Sequence, residues 1–84
     1  MEKGLMAFIA LNTVEKTPTE SVCREVMKVK GIQSVFELAG AWDVIAVARA
    51  QGVSELNSAI EKIRKCSGVV NSTTFLVLQE HGTL

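Results

Sequence analysis

Eighty-four residues, 48% of them hydrophobic, are enough for one domain with a modest core. Nine basic and nine acidic side chains balance, with no basic stripe and no run of like charge, so the electrostatic footprint of a nucleic-acid binder is missing. No apolar run is long enough for a membrane-spanning helix.

The chain starts Met1-Glu2-Lys3-Gly4 and turns apolar, a superficial likeness to a signal peptide. The run gives way to Asn12 and Thr13 without a small-residue cleavage site, so it reads as a strand. Leu5 to Leu11 is apolar at every position, which predicts a first strand buried on both faces and ending near Thr13. Thr17-Pro18-Thr19-Glu20 predicts a helix start, with Thr17 as N-cap, Pro18 at the first helical position and Glu20 closing a capping box. That helix runs to about Lys28, with Val22, Val26 and Val29 on its apolar face and Cys23 beside them. Lys30-Gly31 ends it.

Ile32 to Leu38 is the second predicted strand, with Ile32, Ser34, Phe36 and Leu38 on one face and Gln33, Val35 and Glu37 on the other. Gly40-Ala41-Trp42-Asp43 then turns the chain. Gly40 can take positive φ, and Asp43 can hold neighbouring backbone amides. Asp43 to Ala50 is a third strand, nearly all apolar, broken by Gln51-Gly52. Ser54 is the expected N-cap of a second helix over Glu55 to Cys66, with Leu56, Ala59, Ile60 and Ile63 at helical spacing. Ser67-Gly68 stops it, with Gly68 expected at C′. Val69 to Gln79 is a fourth strand, and Glu80 to Leu84 is a tail. The two cysteines, Cys23 and Cys66, match no CxxC pattern. They read as small buried hydrophobes in a reducing compartment, so the expected location is cytoplasmic.

The order β-α-β-β-α-β describes a ferredoxin-like α+β fold, a four-stranded antiparallel sheet with two helices on one face. Two helices cover only one face, yet the first and third strands, central in this topology, are apolar on both. A monomer would leave Phe8, Ile9, Ile45 or Val47 in water, depending on register. A second copy packed sheet to sheet is the simplest cover, giving a homodimer that is in effect a dimeric α+β barrel. Burying roughly 600 Å² of apolar surface per chain offers on the order of 15 kcal/mol of gross driving force before association costs.

Catalytic chemistry is hard to assemble from this chain. The single histidine, His81, lies in the tail, and no His or Cys set stands at metal-ligand spacing. There is no Ser-His-Asp set, no phosphate-binding glycine loop and no tyrosine. Asp43 and Glu37 flank a turn, where acidic residues are common, and are not read as an acid/base pair. The expectation is a protein that is not an enzyme and takes no cofactor or metal.

Two motifs carry a family resemblance. Gly40-Ala41-Trp42-Asp43 is followed by the aliphatic strand Val44-Ile45-Ala46-Val47. Gly68-Val69 is followed by Ser72-Thr73-Thr74 and then Phe75-Leu76-Val77-Leu78. With both in order on the right elements, the chain resembles the ligand-binding domain of the Lrp/AsnC regulators, also called the RAM domain, over essentially residues 1–84. Ser72 stands where the family shows a first threonine and keeps the hydroxyl. The resemblance implies a homodimer that assembles into a larger ring of dimers and binds a small effector, usually an amino acid, where dimers meet. Carried over to this sequence, it implies a ligand pocket drawn from Gly40, Ala41, Trp42, Asp43, Ser72 and Thr74. Asp43 could answer an α-ammonium, and Trp42 could offer an aromatic face or serve as a packing anchor. The family's helix-turn-helix is absent from this sequence, so the expectation is an effector module without its own DNA reader, acting through co-assembly with full-length Lrp/AsnC-type paralogues or by binding a small molecule alone.

Two other readings share the topology. A small cofactorless oxygenase or isomerase of the dimeric α+β barrel type would place His, Asn, Tyr or Trp in the cleft between sheet and helices, and this chain offers one tail histidine and one loop tryptophan. An ACT-like sensor would use the turn after the first strand, which here is Val14-Glu15-Lys16-Thr17 without a glycine.

Overall fold

The structure, a computed structural model, describes residues 4–82. Six elements follow one another: β1 (Leu5–Thr13), α1 (Thr19–Met27), β2 (Ile32–Glu37), β3 (Val44–Ala50), α2 (Val53–Arg64) and β4 (Val69–Leu76). The strands form one antiparallel sheet in the order β2-β3-β1-β4, which places β1 and β3 at its centre. This is the expected ferredoxin-like α+β arrangement.

The core lies between the sheet and both helices. Ala7, Ile9 and Leu11 of β1 pair across to Ala48, Ala46 and Val44 of β3, and all six pack against Val22 and Val26 of α1 and Leu56 and Ile63 of α2. The alanines keep the sheet surface low at its centre, so the branched and long side chains of the helices settle into it. Leu11, Val22, Val26, Val44 and Ile63 have no exposed surface.

The two halves of the chain are joined to the sheet by the same device. After each helix the chain tightens: the Ile32 N–H donates to the Val29 carbonyl and the Val69 N–H to the Cys66 carbonyl, both at 3.2 Å. A glycine then reverses it, Gly31 at φ 97° and Gly68 at φ 95°. Each glycine carbonyl accepts a bond from the opposite half, Gly31 from the Arg49 N–H at 2.8 Å and Gly68 from the Val14 N–H at 2.9 Å. A side chain fits neither position, because a Cβ on Gly31 would lie 2.9 Å from the Arg49 carbonyl oxygen and one on Gly68 2.9 Å from Thr17 Cγ2.

Several expected boundaries and caps are corrected. The Thr17–Glu20 capping box does not form: Pro18 is the N-cap residue of α1, with no side-chain cap bond. Thr17 is used elsewhere, its N–H donating to the Val14 carbonyl and its methyl group packed at Gly68, while Glu20 pairs with Arg24. Ser54 is not the cap of α2, which starts at Val53 with Gly52 as N-cap. Glu55 reaches back instead and accepts the Gln51 N–H at 2.8 Å. Lys65 is the C-cap of α2, so Gly68 lies beyond the C′ position and turns the chain rather than capping the helix. The fourth strand ends at Leu76 rather than Gln79, although the Val77 N–H still donates to the Met6 carbonyl.

In β2 the pairing shifts between Ile32 and Ser34. This irregularity puts Ile32 and Val35 on the same, helix-covered side, against the strict alternation expected from the sequence. On the open face the pairing aligns Phe36, Ile45, Ala10 and Thr73 in one row and Ser34, Val47, Phe8 and Phe75 in the next. Ile9 points into the core and Val47 is 7% exposed, so neither is left in water. The most exposed aromatics of this face are on the edge strands, Phe36 at 52% and Phe75 at 50%. No helix is long and apolar enough to cross a membrane among the described residues.

Candidate functional site

Both sequence motifs lie at one end of the sheet. The Gly40-Ala41-Trp42-Asp43 loop joins β2 to β3, and hydrogen bonds to β1 hold it in place. The Thr13 N–H donates to Asp43 Oδ2 at 2.8 Å, and the Thr13 hydroxyl and the Asn12 amide approach the same oxygen at 3.4 and 3.5 Å. Asn12 Nδ2 also donates to the Ala41 carbonyl at 3.0 Å. The Asp43 N–H donates to the Leu11 carbonyl, and the Leu38 N–H to the Asp43 carbonyl, both at 2.9 Å. One oxygen of Asp43 thus ties the loop to the end of β1, and the other takes no hydrogen bond from the described residues. Trp42 is half-buried, while Gly40 and Ala41 are exposed.

Ser72 and Thr74 pair with Leu11 and Ile9 of β1, so their side chains share the helix-covered side of β4, where both are half-buried. Asp43 is fastened to β1 at Thr13 and Ser72 pairs to β1 at Leu11, but β1 lies between their strands. Two strand spacings separate the groups laterally, about 10 Å. The structure therefore brings together Ala41 and Asp43, and separately Ser72 and Thr74, but does not merge the two sets into one pocket within a single chain. The cleft beside Ser72, about 300 Å³, is lined with Arg64, Val69, Val70 and Asn71 and includes no residue of the loop.

The sequence did not point to Arg64, Asn12 or Thr13. Arg64 Nε donates to Ser72 Oγ at 3.0 Å, joining the last turn of α2 to β4. Its signal was faint, because which α2 residue meets Ser72 depends on the turn around Gly68. Asn12 was the better clue, an amide that interrupts an otherwise apolar strand just where the loop needs a donor.

Other chemistry-bearing groups offer little. Cys23 and Cys66 are half-buried rather than buried as expected; this partial burial pushes the Cys23 thiol above its ordinary range, with Glu37 and Glu20 adding to the effect, and with Glu25 does the same for Cys66. Both are therefore held as neutral thiols rather than nucleophilic thiolates. No group of three metal-ligating side chains occurs among the described residues.

A sequence profile of the Lrp/AsnC ligand binding domain matches residues 6–83. This chain belongs to that family. Among relatives of the Lrp/AsnC domain, the HTH-type transcriptional regulator LysM of Sulfurisphaera tokodaii is 28% identical over 79 residues, covering 94% of this chain and 56% of the regulator. The domain thus spans about half the length of that relative. A homocitrate synthase of Sulfolobus acidocaldarius is 32% identical over 78 residues, covering 93% of this chain but only 17% of the enzyme. Among solved structures, a transcriptional regulator from Neisseria meningitidis in complex with L-Met superposes with a TM-score of 0.85 at 22% identity, over 98% of this chain and 55% of that one. At that identity the likeness shows a shared fold.

Proposed function

We propose that this Lrp/AsnC domain is an oligomeric, non-catalytic regulatory module that binds a small molecule, most naturally an amino acid, and has no nucleic-acid contacts of its own. The family match over residues 6–83 carries the reading. The complex of the Neisseria regulator with L-Met supports the ligand class. In this reading two copies pack open face to open face, covering Phe8, Ile45, Phe36 and Phe75. Dimers then meet so that the Gly40–Asp43 loop of one protomer and Ser72 and Thr74 of another line a shared pocket. The 10 Å gap between the two motifs within one chain fits such a divided site. Partners of the assembly are further copies of the chain and full-length Lrp/AsnC-type paralogues, and the location is the cytoplasm.

A second reading rests on the homocitrate synthases, which are 32 to 34% identical to this chain, above the 28% of the LysM regulator. In it, the module's output is an enzyme rather than a DNA-bound regulator. Copurification with one or the other class of partner separates the two.

The test is mass in solution by light scattering, with calorimetry against the individual L-amino acids, on the wild type and on Asp43→Asn. Asparagine keeps an acceptor for the Thr13 N–H and removes the charge, so the loop keeps its anchor. The expected result is a dimer or larger ring that binds one amino acid, with affinity about tenfold weaker in the variant. A clean monomer, or no heat with any amino acid, overturns the reading.

A further inference from the structure

The cleft beside β4 contains a cation that pairs with no anion among the described residues. Arg64 is held by one bond, from Nε to Ser72 Oγ. Both ion pairs among the described residues, Arg24–Glu20 and Lys28–Glu25, are on or beside α1. Neither terminal nitrogen of the guanidinium takes a hydrogen bond or ion pair among the described residues, and the Nε bond directs the group towards β4, so its fork is available to receive a carboxylate through parallel hydrogen bonds. A lysine at this position would offer a point charge and no such fork.

The backbone beside it is also unoccupied. β4 is an edge strand, and the Val77 N–H donates inward to the Met6 carbonyl. Antiparallel pairing alternates, so with the register Leu76 to Ala7, Thr74 to Ile9 and Ser72 to Leu11, the N–H and C=O groups of Ser72 and Thr74 point away from the sheet. An edge of this kind presents donors and acceptors at strand spacing, which suits a molecule carrying both an ammonium and a carboxylate on one carbon. The cleft is an open groove of about 300 Å³, which has room for a free amino acid.

We propose that Arg64 is the carboxylate receptor of this domain, held in aim by Ser72, and that an α-amino acid docks along the free edge of β4 with its carboxylate on the guanidinium. The proposal rests on the reading that the domain binds an amino acid, and it assigns the two hydroxyl positions different tasks. Ser72 positions Arg64, whereas Thr74, outside the cleft lining, extends the outward-facing backbone edge along β4.

The experiment compares L-methionine, and each other L-amino acid that gives heat with the wild type, with its primary carboxamide, which lacks the negative charge, on the wild type, Arg64→Gln and Arg64→Lys. Arg64 is exposed, so the variants are expected to fold, checked by thermal unfolding. The wild type should favour the acid over the carboxamide by about tenfold or more, Arg64→Lys should retain part of that preference, and Arg64→Gln should bind both forms alike. A structural role alone would weaken both ligands together and leave the preference unchanged, which overturns the proposal while the amino-acid reading stands. An undiminished acid preference in Arg64→Gln overturns it in the same way. If no amino acid binds the wild type, the proposal and the reading beneath it both fall.

Discussion

The two faces of the sheet are made by the same four strands and differ in how they solve burial. On the helix side, alanines at the centre of β1 and β3 leave room for Val22, Val26, Leu56 and Ile63, and the contact is complete within one chain. On the open side the central residues Ala10 and Val47 are already covered at 1% and 7% exposure, but the aromatics around them are not, and exposure grows towards the edge strands. One face is finished by folding, and the other is left half-dry. In a small domain the first kind of surface sets whether the chain folds, and the second sets what it assembles with.

That contrast makes distinct demands on adjacent residues. Ile9→Ala removes a fully buried side chain from the finished face and should cost about 2–5 kcal/mol in urea unfolding, at any protein concentration. Phe75→Ser acts on the half-dry face, and should change the stability of a single protomer by about 1 kcal/mol or less. Its effect should appear as a lower midpoint on dilution and a smaller mass in light scattering. If Phe75→Ser destabilised as much as Ile9→Ala without any dependence on concentration, the two faces would not be different in kind. The smallest effect concerns the thiols flanking the core. Cys23 and Cys66 both hold their protons more firmly in the fold than at the ordinary value of 9.0. Their contribution is therefore fully present below that value and is lost as pH rises through the raised folded values. Urea midpoints should fall from mildly to strongly alkaline pH, and the fall should be shallower in the Cys23→Ser, Cys66→Ser double variant.

The finished face was legible in the sequence because it obeys periodicity. The apolar spacing in α1 and α2 and the unbroken runs in β1 and β3 identify the elements, the topology and the central strands. What could not be read depended on single choices between competing bonds. Thr17 satisfies both the capping signature and the packing at Gly68, and packing won. The shift between Ile32 and Ser34 moves Val35 to the covered side, and no local pattern in Ile32-Gln33-Ser34 announces it. At the site, Asp43 was legible as a turn residue that holds neighbouring amides, and the structure instead sends its carboxylate across to Thr13 and Asn12 of β1, where it anchors the loop to a distant strand. Arg64 escaped because its partner is set by the geometry of a turn between two elements, not by either element alone.

The bond from Val77 to Met6 has one more consequence. It sets the start of β1 and the end of β4 side by side, while the matched turns at Gly31 and Gly68 attach each half to the other in the same way. The order in which the halves occur along the chain is thus almost irrelevant to the contacts they make. A circular permutant that links the end of β4 to the start of β1 and opens between other elements is expected to keep every strand pair. The domain is defined by a pairing of two like units rather than by a direction of reading.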